Sequence, residues 1–400
     1  MTSAPALANL KVLDISTFVS APFAAACLAE FGAEVLKIEK PGTGDSLRSL
    51  GTPGPTGDSY FWLSEARNKK CITLDLRKPQ GAAIFRRMVK KADVVIENFR
   101  PGTLEKWGVG FNALLEANPG LIMLRISAYG QIGPKSHLPG FARIAQAYAG
   151  LTYLVGRPDT PPLIAGSTTL ADYIAGLYGA FGILLALRVR DQMGRGQYID
   201  IGLHDGIFRF LDEMASVYDK TGEVRERMGT ETPSSTPHSH YPTKDGKWVA
   251  IACTNDKMFE RLANVMGQPD LARSDRYGMK PKRLVARARI NQIVSEWTSR
   301  FDRDAVIDLC CAGDVPCGPI NSIAEIFSEK QFWVRETLAR VAHDGMGDLA
   351  VPGVVPRLSE TPGRIDHLGR KLGENNSDVF REWLDMDASE LAALEKAGVI

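Results

Sequence analysis

The chain predicts an α/β fold: a parallel sheet with helices on both faces, followed by a smaller α/β domain. Three observations carry this. The first two hundred residues alternate short, continuous apolar runs with longer helical ones, the pattern of strands buried on both faces. Four hundred residues exceed what one small core holds, so two domains or one elaborated domain are expected. Around 219–246 the texture turns polar and rich in Gly, Pro, Ser and Thr, which reads as a domain crossing.

Taken in order, residues 10–15 read as a buried strand, 21–31 as an Ala-rich helix and 34–39 as a second strand. After a Gly/Pro/Ser loop, 71–76 is a third strand and 79–91 an amphipathic helix whose Ile84, Phe85, Met88 and Val89 share one face. Strands at 94–96, 121–126 and 197–202 follow, with a helix from His204. The second domain holds a strand at 248–253 and helices at 257–266 and 285–300. A Pro/Gly-rich stretch at 351–363 and a final helix read as a return to the first domain. The expected division is thus 1–218, 219–330 and 331–400.

Composition narrows the function. The apolar share of 44% and charged share of 24% are those of an ordinary globular protein. With 48 basic and 47 acidic residues, net charge +1, no global field draws nucleic acid or an anionic membrane. The N-terminal stretch lacks the basic and apolar regions of a secretory signal. The most apolar run, 173–187, is short for a membrane span and is punctuated by Gly176, Gly179 and Gly182, which suits close helix packing. Six cysteines without a CxxC pair read as free thiols in a reducing compartment. A cytoplasmic protein without metal is the expectation.

The opening strand, helix and strand, ending at Glu39, invite a dinucleotide reading. The glycine loop that would admit a pyrophosphate is missing from STFVSAPFA, so no nicotinamide cofactor is expected there. Lys40, followed by PGTGD, suits a phosphate, although a solvated loop reads equally well. Asp172 is the one charge in AGSTTLADYIAGLYGAFGILLAL. Taken alone it favours a first-turn helix acid slightly over a functional carboxylate. Ser167, Thr168 and Thr169 could already cap that helix, and a carboxylate among apolar residues is costly outside a functional site. His204 and Asp205 are adjacent on a helix and are not expected to face each other. His238 and His240 would share a face of a strand, but no Cys, Asp or Glu stands at ligand spacing beside them.

At this point the sequence resembles the class III CoA-transferases, which include formyl-CoA:oxalate and carnitine enzymes, and their relative α-methylacyl-CoA racemase. The resemblance runs through LKVLDIS and the later AP (10–22), FGAEVLKIEKPGTGD (31–45), ARNKKCITLDLRKPQG (66–81), ADVVIENFRPGTLEKWG (92–108) and SAYGQIGP (127–134). It continues through TLADYIAGLYGAFGILLAL (169–187), GRGQYIDIGLHD (194–205), YPTKDGKW (241–248), DVPCGPINS (314–322) and LGENNSDV (372–379). It implies a large Rossmann-like domain, a small domain and two subunits interlocked like links of a chain, with the active site between domains.

The resemblance also implies roles. Asp172 is the nucleophile, and Tyr129 falls at the place of an active-site tyrosine. Coenzyme A, a substrate and not a resident cofactor, is met by Lys40, by Asn68 and Lys69 near the adenine, by Asn98 and Phe99, and by Lys106. A glutamine of the formyl/oxalate branch is Val19 here, so that exchange is not expected. The family's glycine loop corresponds to 228–239, which is poor in glycine. A racemase needs a histidine where Phe141 stands; it and a non-catalytic CoA-binding protein are the alternatives to transfer. The acceptor is a small carboxylate. Arg48 or Arg143 would pair with a second carboxylate if the acid is a dicarboxylate, or with a neighbouring side chain if it is not, and His238 and His240 are candidates for the acceptor pocket.

Overall fold

A computed structural model describes residues 4–400, and these divide into two compact units. The larger unit comprises the chain up to Thr152, 164–222 and 331–400; the smaller comprises 153–163 and 223–330.

In the larger unit six parallel strands, β1 (Lys11–Asp14), β2 (Glu34–Glu39), β3 (Lys69–Thr73), β4 (Val94–Glu97), β5 (Ile122–Ser127) and β6 (Tyr198–Gly202), form one sheet in the order β3-β2-β1-β4-β5-β6. That is the strand order of dinucleotide-binding sheets. Successive residues feed opposite cores, because side chains alternate across a strand. Leu13, Leu36, Val95 and Met123 pack with the helix Pro79–Val89 and the C-terminal helices. Val12, Val35, Ile96 and Leu124 pack with the helices Ser20–Glu30 and Leu170–Met193.

The helix Leu170–Met193 is longer than the apolar run suggested, at 24 residues, and by length and composition could cross a membrane. Its glycine side is committed to the helix Ser20–Glu30 and to the sheet. A Cβ on Gly176 would stand 2.4 Å from the Ser20 carbonyl oxygen, and one on Gly179 would stand 2.7 Å from the Leu124 side chain. Only glycine allows this approach. The opposite side leaves Leu177, Phe181, Leu184 and Leu185 exposed.

β3 is an edge strand, and the LGENNSDV segment covers it. The Cys71 N–H donates to Asn375 Oδ1 at 2.9 Å and the Thr73 N–H to Asn376 Oδ1 at 2.8 Å, so two side-chain amides stand in for a neighbouring strand. The C-terminal segment also holds an antiparallel pair, Leu338–His343 with Gly347–Pro352, and two final helices, Asn376–Leu384 and Ala388–Lys396. The sequence reading anticipated one helix and no hairpin.

The smaller unit has a three-stranded antiparallel sheet, His238–Pro242, Trp248–Ala252 and Cys317–Pro319, with Val249, Ile251, Phe259 and Val294 in its core. Residues 153–163, expected in the first domain, belong here instead. The Gly229 N–H donates to the Gly156 carbonyl at 2.8 Å and the Tyr153 hydroxyl to Glu226 at 2.6 Å. These links across seventy residues have no periodic signal in the sequence.

Candidate active site

A cavity of about 520 Å³ opens past the carboxyl ends of β1, β4 and β5, lined by Phe18 and Val19, Asn98 and Phe99, Ile126 to Ala128, Leu138 to Arg143, and Asp172. β1 and β4 are the neighbours at which strand order reverses, the usual ligand crevice of such sheets. Where a dinucleotide site would need glycines, side chains build the turn. Asn98 accepts from the Thr17 N–H at 2.8 Å and donates to the Thr17 carbonyl at 2.7 Å. Phe18 has φ of 62°, a left-handed conformation costly for an aromatic residue. Its N–H donates to Asp45 Oδ1 at 2.9 Å.

Asp172 occupies the first turn of the helix Leu170–Met193. Neither it nor Thr169 supplies a side-chain cap, so the first-turn place that the local sequence favoured acts on the helix through its dipole and not through a cap bond. Among the described residues no donor hydrogen-bonds the carboxylate and no cation pairs with it. The group is half-buried, and burial, with nothing opposing it, raises its pKa to about 7. It is a carboxylate with no partner in the wall of the cavity.

A second cavity of about 300 Å³ lies past the ends of β1 and β2, lined by Lys40, Thr43, Gly44, Ser46, Arg77 and Trp107 among others. Thr17 and Phe99 line both cavities. Phe99 therefore stands in a shared wall, held edge-on against Trp107 with ring centroids 5.1 Å apart. Lys40 is exposed at this cavity. Lys106 is exposed on the short helix Thr103–Lys106 and lines neither cavity.

Tyr129 also lines neither; it packs edge-on against Tyr148 at 5.1 Å, beside His204. His204 Nε2 and Asp205 Oδ1 do meet, at 3.3 Å, contrary to expectation. Asp205 folds back at the helix start to accept the Gly202 N–H, which brings it beside the imidazole.

Three sequence assignments need correction. Asn68 donates to the Arg364 carbonyl and accepts the N–H groups of Asp366 and His367, so its amide is occupied in holding the C-terminal segment. Lys69 is fully buried, donating to Asp14 at 3.0 Å and to the Pro22 carbonyl at 2.7 Å. Neither is offered to an adenine. β3 starts two residues before the apolar run, which turns Lys69 into the covered sheet. Arg48 is buried too, forking onto Glu39 with two bonds of 2.7 Å and stacking 3.8 Å over Trp62. It is not available to an acceptor.

Arg143, by contrast, is exposed, lines the Asp172 cavity and has no ion-pair partner among the described residues. His238 and His240 share one face of their strand in the smaller unit, while Ser239 and Tyr241 turn into its core. Sequence reasoning missed Asp45 and Phe18. The acidic residue ending PGTGD was the available signal for the first, whereas nothing in the sequence marks a positive φ at Phe18.

The chain matches CoA-transferase family III over residues 7–376. It is 50% identical over 395 residues, 98% of this chain and 92% of the relative, to the succinyl-CoA–L-malate CoA-transferase alpha subunit of Chloroflexus aurantiacus. It is 34% identical to the succinate–glutarate CoA-transferase of Agrobacterium fabrum, over 94% of this chain and 96% of that one. The crystal structure of a CAIB/BAIF family protein from Brucella suis superposes with a TM-score of 0.84 at 32% identity, covering 95% of this chain and 100% of that one. The Rossmann-like sheet, the cavity at its switch point and these likenesses agree: the chain belongs to CoA-transferase family III and is a class III CoA-transferase.

Proposed function

We propose that this enzyme moves CoA from succinyl-CoA or a similar acyl-CoA to a small carboxylic acid, with Asp172 as the covalent carrier. The observation that carries this reading is the unpartnered Asp172 carboxylate in the wall of the cavity. A carboxylate oxygen attacks the thioester carbonyl; the tetrahedral adduct collapses, expelling CoA thiolate and leaving an aspartyl–acyl anhydride. The thiolate then attacks the aspartyl carbonyl carbon, releasing the donor acid and leaving an aspartyl CoA thioester. The acceptor carboxylate attacks that thioester, expelling CoA thiolate and forming a second anhydride, and attack of the thiolate on its acyl carbonyl yields the new acyl-CoA and free Asp172. No water or net proton is consumed. Lys40 and Phe99 are the proposed CoA contacts, at the cavity that shares a wall with the Asp172 cavity.

Phe141 lines the cavity and packs edge-on against Phe18 at 5.7 Å. A phenyl ring exchanges no proton, which supports transfer over racemisation. We also propose an interlocked homodimer. The exposed row Leu177, Phe181, Leu184 and Leu185 supports it. So does near-equal identity to the alpha and beta subunits of the Chloroflexus relative, 50% and 49%, since one chain then suits both places. Light scattering on the purified chain tests this, and a monomer at micromolar concentration refutes it.

For the mechanism, wild-type enzyme is incubated with succinyl-CoA, trapped with borohydride and digested. The expected result is a reduced aspartyl residue in the peptide containing Asp172. An unmodified peptide from an actively transferring enzyme overturns the mechanism.

A further inference from the structure

The Asp172 cavity is lined by two arginines, Arg100 and Arg143, and their placement differs. Arg100 follows Asn98 and Phe99, on the wall shared with the Lys40 cavity, where a CoA arm reaching Asp172 would enter. Arg143 stands on the Leu138–Arg143 wall, whose residues line neither the Lys40 cavity nor the cavity beside Arg125. That wall is left for the remainder of the acid. The surfaces around it, Phe18, Val19, Leu50, Leu138 and Phe141, are apolar and suit methylenes.

Arg143 is the second residue of the helix Ala142–Tyr148, so its backbone is held while its side chain is exposed. Most cations elsewhere at the carboxyl end of this sheet are already matched: Lys37 and Lys69 with Asp14, Arg48 with Glu39, Arg77 with Asp75, Arg125 with Glu97. Arg143 pairs neither with Asp172 nor with another described carboxylate. An unpaired guanidinium and an unpaired carboxylate in one cavity leave room for a ligand between them.

We propose that Arg143 is the specificity-determining residue of this cavity, and that the acid exchanged is a short dicarboxylic acid, with one carboxylate at Asp172 and the other forked onto the Arg143 guanidinium. The assignment rests on the transfer reading above. Guanidinium geometry accepts a carboxylate through two parallel hydrogen bonds, which an ammonium cannot reproduce.

Succinate and butyrate have four-carbon chains and differ in carrying a carboxylate or a methyl at the far end. The experiment measures kcat/KM for isotope-labelled succinate and butyrate as acceptors from succinyl-CoA, in wild type, R143Q, R143K and R100Q. It also measures equilibrium binding of both acids to the unreacted enzyme. Because the acceptor step follows donor release, acceptor kcat/KM is independent of what the variant does to the donor. Wild type is expected to prefer succinate, and R143Q to lower the succinate-to-butyrate ratio by about 10–100-fold, the worth of a charge-assisted fork. R143K restores part of that ratio, and R100Q keeps it. A ratio unchanged in R143Q, a wild type indifferent between the two acids, or an equal fall in R100Q overturns the proposal. The two readings fail separately. Succinate-selective binding that needs Arg143, without a trapped Asp172 adduct, removes the transfer mechanism and leaves Arg143 in place. A trapped adduct with a ratio indifferent to Arg143 removes Arg143 alone.

Discussion

At the carboxyl ends of β1 and β2, buried carboxylates and cations are matched one against another. Lys37 lies 2.7 Å from Asp45 and 3.8 Å from Asp14, and Lys69 lies 3.0 Å from Asp14. Burial alone would raise the pKa of Asp14, yet Lys37 and Lys69 hold it below the usual carboxylate range. At the mouth of the neighbouring cavity Asp172 is less buried but has no such partner, and burial raises its pKa to about 7. The contrast separates two uses of one functional group. A matched carboxylate positions the turns after β1 and β2, while the unmatched one keeps its lone pairs free for the nucleophilic role proposed above.

The largest expected effect comes from removing the unmatched group. Asp172→Ala should lower transfer by at least about 10³-fold while leaving the thermal midpoint no lower than wild type, measured by steady-state acyl-CoA exchange and calorimetry. Transfer at wild-type rates would sink the mechanism. Removing a matched group should do the reverse to stability. Lys37→Met strands Asp45 without its ammonium and leaves Asp14 to Lys69 alone, an expected loss of about 3–5 kcal/mol read from the denaturant midpoint. A loss under about 1 kcal/mol would show that water, not Lys37, satisfies them.

A smaller effect should follow from crowding the glycine face beneath Asp172. Gly176→Ala puts a Cβ 2.4 Å from the Ser20 carbonyl oxygen and 2.9 Å from the Phe23 ring. The shift costs about 1–3 kcal/mol and should lower kcat by moving the first turn; unchanged stability would mean the two helices separate freely.

The smallest effect is on pH dependence, where the two regions should have opposite signs. A depressed carboxylate such as Asp14 stabilises the fold above its unfolded pKa, and that contribution is lost on acidification. A raised one such as Asp172 destabilises the fold as pH climbs from its unfolded value near 4 to about 7. Asp172→Asn should therefore match wild type near pH 4 and exceed it by on the order of 1–2 kcal/mol at pH 8, after discounting for solvent at a half-buried group. Glu97, also raised by burial to about 7 despite Arg125, is common to both proteins and cancels. In wild type, kcat/KM for the donor should rise with pH through about 7, and a profile flat from 5 to 8 would contradict the assignment.

Much of the larger unit was legible because parallel strands buried on both faces read as continuous apolar runs. Glu34–Glu39 matches the reading end to end, and Ile84, Phe85, Met88 and Val89 are all buried, as their spacing implies. The errors fall where charge enters the core. Lys69 looked like a surface contact because lysine is seldom buried, and Arg48 looked available because its partners Glu39 and Asp58 lie nine and ten residues away. No periodicity reports such a match.

The sequence by itself determined the sheet, the motifs shared with CoA-transferase family III and Asp172 as a lone charge in an apolar helix. Those follow from local hydrophobic pattern and motif order. Tertiary structure decided which charges are committed and which are free: Lys69 and Arg48 matched within the core, Asp172 and Arg143 unmatched in one cavity. The reason is physical. Pairing depends on distance and burial between residues far apart in the chain, and both arise once the strands are in register.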